Sequence, residues 1–264
     1  EGLRRQDGIH AAAVVISPEA ITNYLPVQKK GKDAELVTQF EMHTVEQLGL
    51  LKMDFLGLRN LSIIDRTVEL INNEDFNIDE IPLDDKKTFE LFSTGRMIGV
   101  FQLESRIAQI TARSLKPTRF EEIVALVALI RPGPLGANMH IEFADRATGK
   151  KEIEFLHTDL KEILEETYGV ILYQEQVMQI AQKISAFQLD EADDLRKAMG
   201  KKIPKVMEQQ RKKFTDGAIS NGYSEQFSIE LFDQIAFFAG YGFNKSHSVP
   251  YALIAYQTAY LKAN

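Results

Sequence analysis

Two residues early in the chain combine reactive chemistry with useful spacing. In residues 49–60, reading GLLKMDFLGLRN, Lys52 and Asp54 alternate with Leu51, Met53 and Phe55. A strand's period of two puts the three apolar side chains on one face and Lys52 and Asp54 side by side on the other. Gly57 follows to let the backbone turn. An ammonium next to a carboxylate on an exposed sheet face can hold a metal ion and a phosphate together. The same alternation also describes an ordinary half-buried strand with a solvated polar face.

A second group is cationic. Between 195 and 213, eight basic residues (Arg196, Lys197, Lys201, Lys202, Lys205, Arg211, Lys212 and Lys213) stand against one acid, Glu208. The chain as a whole carries a net charge of -7, so it does not coat nucleic acid indiscriminately. A dense positive patch on an acidic background points to a specific polyanion, with a solvated helix face as the plain alternative. A third group lies at 240–247, where Gly240 and Gly242 allow close backbone approach beside Asn244, Lys245, Ser246 and His247. Its place before an expected helix N-terminus suits a phosphate. Phe187, Phe214 and Tyr223 flank the basic run, but at helical spacing aromatics are usually core.

Other chemistries have little support. There are no cysteines, which removes disulfides and thiolate metal sites, and the five histidines are scattered. A bound metal would need hard oxygen ligands, which favours magnesium or manganese. The phosphate-binding pattern Gly-x-x-x-x-Gly-Lys-Ser/Thr is absent. No apolar run has membrane-spanning length and no signal peptide is present, so the expectation is a cytoplasmic protein with no membrane partner. With 264 residues, 44% hydrophobic and 26% charged, the chain can bury a substantial core. It starts at Glu1 and stops inside an apparent helix, which suggests a piece of something longer.

The elements that must position these groups change character near residue 58, from strands to helices. The run AAAVVIS predicts a buried strand, and residues 24–28, 36–40 and 50–55 predict three more, with a hairpin turn at 29–33 and a short helix at 42–48. Together they are expected to form one small sheet. Beyond it, Asn60 or Ser62 caps a helix whose Ile63, Ile64, Val68, Leu70 and Ile71 suit a buried stripe. Asp84 and Asp85 open the next, Ser105 another, and Thr118 with Glu121 has capping-box spacing. Residues 97–103 and 170–173 predict extended segments. Helices are expected at 158–166, 174–187, 190–199 (stopped by Gly200), from Pro204 and from Ser224. The last begins at Ser248 and Pro250. The expected class is α+β, a small mixed or antiparallel sheet portion followed by a large, mainly α-helical region.

The sequence resembles the alpha subunits of bacterial DNA polymerase III, of the replicative DnaE-type branch. The blocks HAAAVVIS (10–17), GLLKMDFLGLRNL (49–61), GVFQLES (99–105), ALIRPGP (128–134), ILYQEQVMQIA (171–181), DLRKAMGKK (194–202) and FAGYGFNKSHS (238–248) carry it, in the family's order across nearly the whole chain. The resemblance implies a partial palm, similar to that of the polymerase beta superfamily, over residues 1–58, and fingers, incomplete at their end, over 59–264. It implies three aspartates holding two magnesium ions, Asp54 matching the third and the first two lying upstream. Lys52 matches the palm lysine facing the primer terminus. Arg196, Lys197, Lys201 and Lys202 match the basic helix near the triphosphate, although the family often has arginine where Lys197 stands. Asn244, Lys245, Ser246 and His247 match the loop beside the nucleotide.

The implied function is template-directed DNA synthesis within a full subunit, with the piece inactive alone. Implied partners are primer-template DNA, deoxynucleoside triphosphates, the rest of the subunit, and a sliding clamp, clamp loader and proofreading exonuclease. An error-prone paralogue is the near alternative. A non-catalytic nucleic-acid-binding module, with Asp54 structural, is the distant one.

Overall fold

A computed structural model describes residues 8–10, 12–29, 35–55, 57–201, 204–238 and 242–264. Lys30 to Asp33 of the expected hairpin turn, together with Lys202, Gly240 and Tyr241, lie outside the described residues. The chain divides into two compact units, Glu1–Arg59 and Asn60–Asn264.

The first unit contains β1 (Ala13–Ile16), β2 (Val27–Lys29), β3 (Leu36–Thr38), α1 (Met42–Gln47) and β4 (Leu51–Asp54). Instead of one sheet there are two antiparallel ladders, β1 with β4 and β2 with β3. The register pairs Ala13 with Asp54, Val14 with Met53, Val15 with Lys52 and Ile16 with Leu51. Val15, on the face shared with Lys52, packs toward a small cluster of Leu25, Val45 and Leu50. That cluster is too small to cover both faces of the ladder. Val14, Ile16, Leu51, Met53 and Phe55 are therefore exposed, and β1 is not the buried strand its run of apolar residues predicts.

The second unit is helical: α2 (Arg59–Ile71), α3 (Lys86–Thr94), α4 (Arg106–Leu115), α5 (Phe120–Leu129), α6 (Pro132–Gly136), α7 (Met139–Ala147), α8 (Lys161–Leu164), α9 (Gln174–Ser185), α10 (Leu189–Lys201), α11 (Pro204–Ser220), α12 (Glu225–Phe238) and α13 (Lys245–Ala263). The architecture is α+β with a mainly helical second part. Caps set the boundaries. Asp85 accepts from Thr88 N at 2.8 Å, Ser105 from Ala108 N at 3.3 Å and Ser224 from Phe227 N at 3.2 Å. At α5 the box closes on Glu122 rather than Glu121, its Oε2 accepting from Thr118 N at 2.6 Å and from Arg119 N at 3.3 Å.

Several expectations fail for physical reasons. In α2 only Ile64 is buried, while Ile63, Leu70 and Ile71 are exposed. Residues 97–103 form tight turns that bury Met97, Val100 and Leu103 completely, rather than an extended segment. Residues 158–166 break into the short α8 between 3-10 turns. Gly200 lies inside α10 instead of ending it, since a single glycine costs only about 1 kcal/mol in a helix. Asn244 starts α13 earlier than expected, so Lys245, Ser246 and His247 are helical and Pro250 falls within the helix.

The core forms around α5, whose residues Ile123 to Leu129 are all buried, as an all-round apolar helix requires. Helix α13 packs on α5 and α3, and its Ala252, Ala255 and Ala259 are fully buried, small enough for close approach. Ser248 Oγ donates to Val124 O at 2.7 Å, and Thr258 Oγ1 accepts from Phe101 N at 3.0 Å. These contacts hold α13 in place, and its N-terminus carries one of the candidate sites.

Candidate active site

In the first unit, Asp54 ends β4 opposite Ala13, whose small side chain leaves the carboxylate open on its face. Lys52 Nζ lies 2.6 Å from Asp54 Oδ1. The lysine side chain is only 17% exposed, its stem beside the cross-strand Val15 and its charged end at the carboxylate. His10 Nδ1 is 3.9 Å from the same oxygen. The Lys52 hydrogen bond holds the Asp54 carboxyl below its usual value, helped by the Lys52 charge and by His10 against a desolvation cost. Asp54 is thus an ionised, exposed hard-oxygen donor. Among the described residues Oδ2 takes no hydrogen bond, and no group of three or more His, Cys, Asp or Glu converges to hold a metal.

In the second unit, four of the predicted basic residues, Arg196, Lys197, Arg211 and Lys213, are paired with acids. Arg196 donates through Nε to Asp193 Oδ1 at 2.8 Å, and Lys197 Nζ lies 2.7 Å from Asp193 Oδ2. The hydrogen bond from Lys197, and next that from Arg196, lower the pKa of Asp193. Lys213 reaches Glu191 at 2.7 Å, and Arg211 pairs with Asp233. Lys201 is placed as the last residue of α10, and Lys202 is outside the described residues.

The turn before α9 is joined to the start of α13. Gln174 N donates to Phe243 O at 2.9 Å, and Phe243 N to Leu172 O at 3.3 Å. Of the segment 170–173 expected as a strand, only Tyr173 pairs, in a single parallel bridge with Phe243. Gln174 Oε1 accepts from Arg196 Nη1 at 3.5 Å and its Nε2 donates to Gly242 O at 3.5 Å, so one side chain spans from α10 to this segment. A Cβ on Gly242 would meet the Phe238 ring at 2.8 Å, which is why glycine stands there.

The predicted residues of this segment are engaged in different ways. Asn244 Oδ1 caps the helix, accepting from His247 N at 2.9 Å. Lys245 N donates to both oxygens of Glu175 at 2.9 Å, and Ser246 N donates to Oε1 at 3.4 Å. Lys245 Nζ pairs with Glu166 at 2.7 Å and lies 5.5 Å from the Tyr173 ring centroid. Burial, then Glu166, Glu175 and Glu121, push the Tyr173 hydroxyl's pKa up. The His247 ring packs against Tyr251 at 4.4 Å and Phe243 at 5.5 Å. Arg131 stands 4.0 Å over Phe243 and donates Nε to Ala128 O at 2.9 Å.

Sequence reasoning missed Asp193, Gln174, Glu166, Glu175 and Arg131. Asp193 was readable, since it lies three and four residues before the two cations on one helix. Glu175 and Glu166 meet the site across 70 and 79 residues, Gln174 reaches Gly242 across 68, and Arg131 acts through a ring, so none leaves a local signal.

Residues 60–222 match the family model of the bacterial DNA polymerase III alpha subunit finger domain, and residues 1–57 that of the bacterial DNA polymerase III alpha NTPase domain. The chain belongs to the bacterial DNA polymerase III alpha subunit family. Over its full length it is 46% identical to DNA polymerase III subunit alpha of Mycobacterium tuberculosis (strain CDC 1551 / Oshkosh). The identity is 48% to that of Escherichia coli (strain K12) and 49% to that of Vibrio cholerae serotype O1. It spans 23% of the first of these relatives and 24% of the other two. Lys52 and Asp54 fall in the first matched segment and Arg196 to Lys202 in the second, while Asn244 to His247 lie beyond both. No helix among the described residues is long and apolar enough to cross a membrane.

Proposed function

We propose that this chain is part of a replicative DNA-directed DNA polymerase that adds deoxynucleotides to a primer 3′ end, directed by a template, through two-metal nucleotidyl transfer. In this reading residues 1–58 are the C-terminal part of the palm and 59–264 the fingers. The observation that carries it is the exposed, ionised Asp54 beside Lys52, in a chain that resembles polymerase alpha subunits from end to end.

Asp54 fits a hard divalent cation as one oxygen ligand, with Oδ2 open among the described residues, and the remaining ligands belong to the longer subunit. Magnesium bound there supplies Lewis-acid stabilisation of negative charge on the reacting phosphate oxygens. The chain's own residues do the rest. Lys52 neutralises the Asp54 charge until substrate arrives, then offers its ammonium to the primer-terminal and nucleotide phosphates. Arg196, Lys197, Lys201 and Lys202 balance triphosphate charge from the fingers, and Asn244, Lys245, Ser246 and His247 border the nucleotide. Closing of the helical fingers excludes water and orients the nucleotide. The chain alone is inactive in this reading, because the other two metal-binding aspartates lie elsewhere in the subunit.

The partners are primer-template DNA, deoxynucleoside triphosphates, the remainder of the subunit, and the clamp, clamp loader and exonuclease of a cytoplasmic replication machine. Primer extension by the full-length subunit carrying Arg196→Ala tests the fingers assignment. The nucleotide KM is expected to rise by about tenfold. An unchanged KM, with a salt slope of DNA binding shallower by about one, would favour a non-catalytic nucleic-acid-binding module.

A further inference from the structure

Glu175 is the second residue of α9, and its carboxylate lies on the first turn of α13. The one negative charge therefore sits at two helix N-termini, both of which favour it. Its two oxygens accept from the first and second N–H groups of α13, at 2.9 Å and 3.4 Å. A helix N-terminus attracts phosphate through these same groups. Here an internal carboxylate already fills the position, so the backbone N–H groups of Lys245 and Ser246 are not the phosphate contacts their place suggests.

The Lys245 ammonium is likewise committed, to Glu166 at 2.7 Å. Of the four predicted residues, Asn244 and His247 keep side-chain nitrogens that take part in no hydrogen bond with any described residue. Both are fixed by the turn that Glu175 holds. Asn244 caps it, and the imidazole of His247 is packed between Phe243 and Tyr251. Gln174, the neighbour of Glu175, joins the same segment to Arg196.

We propose that Glu175 is the positioning residue of this segment, setting the first turn of α13 so that the side chains of Asn244 and His247 are held for a nucleotide phosphate. The role rests on the polymerase reading above. It assigns to Glu175 no contact with substrate. Its effect passes through Lys245 N and Ser246 N.

The test uses the full-length subunit, with the nucleotide KM, kcat and primer-template Kd measured for Glu175→Ala, Glu175→Gln and Glu175→Asp. Glu175→Ala is expected to raise the nucleotide KM about tenfold while primer-template Kd stays within about twofold. Glu175→Gln keeps a carbonyl oxygen of the same reach and is expected to restore KM to within about threefold of the parent. Should Glu175→Ala not fold, the shape-preserving pair decides: Glu175→Asp, one methylene short, raises KM and Glu175→Gln does not. An unchanged KM in Glu175→Ala, or equal KM values in the Gln and Asp variants, overturns the proposal. So does a lowered KM in Glu175→Ala, which would show the carboxylate competing with phosphate. Full activity of an Asp54→Ala subunit would sink the polymerase reading itself. An inactive Asp54→Ala beside an unaltered Glu175→Ala removes only the role of Glu175.

Discussion

Asp193 grips Arg196 through one carboxylate oxygen, Oδ1, at 2.7 Å from Nη2 and 2.8 Å from Nε. Its other oxygen takes Lys197, so a single acid on α10 pairs with both cations. Cations held by an acid on their own helix bind an anion weakly until it displaces that acid. Asp193→Asn is therefore expected to lower the nucleotide KM of the full-length subunit by about two- to threefold in primer extension, with the salt slope of DNA binding unchanged. An unchanged KM with a steeper DNA salt slope would place the two cations on DNA instead of on the nucleotide.

The same pair makes a pH prediction. The folded pKa of Asp193 lies below the ordinary value of 3.8, chiefly through Lys197 and then Arg196. The unfolded chain therefore binds more protons in the acid range. The stabilisation is complete above the ordinary value and is lost as pH falls through the lower folded one. Parent and Asp193→Asn should differ in Tm at neutral pH, and the gap should close as pH falls below the ordinary carboxylate range. A gap that persists in acid would assign the difference to shape rather than to charge.

Gly217 tests the packing that supports α9. A Cβ there would lie 2.5 Å from the Ser185 carbonyl oxygen, while Ser185 Oγ donates to Phe214 O at 2.8 Å. Alanine gains about 1 kcal/mol of helix propensity over glycine, and overpacking against backbone costs about 1–3 kcal/mol. The clash should win, because a backbone oxygen at the end of α9 cannot turn aside as a side chain can. Gly217→Ala is expected to lower Tm in thermal melts. An equal or higher Tm would show that α9 and α11 can separate at little cost.

Local rules were legible and long-range partners were not. Asp85, Ser105 and Ser224 could be read as caps because a cap needs only its own side chain and the next three residues. The strand holding Lys52 and Asp54 could be read from alternation, yet alternation does not say which face is covered. The small cluster of Leu25, Val45 and Leu50 lies on the side of Val15 and Lys52, so the more apolar face stays exposed. Helix α13 starts earlier than expected, with Asn244 as its cap, Glu175 on the next two N–H groups and Ser248 inside the helix donating Oγ to Val124 O. That carboxylate arrives from 70 residues away, and nothing in the local sequence announces it.

In the polymerase reading, the Asp54 carboxylate takes part in nucleotidyl transfer and has no structural duty. It is exposed, and its contacts among the described residues are Lys52 and His10. The most direct measurement is single-turnover incorporation of one nucleotide by the full-length subunit carrying Asp54→Asn, with primer-template affinity and Tm measured alongside. The rate is expected to fall by at least about a thousandfold, with affinity and Tm close to the parent's. A rate within about threefold of the parent would contradict it.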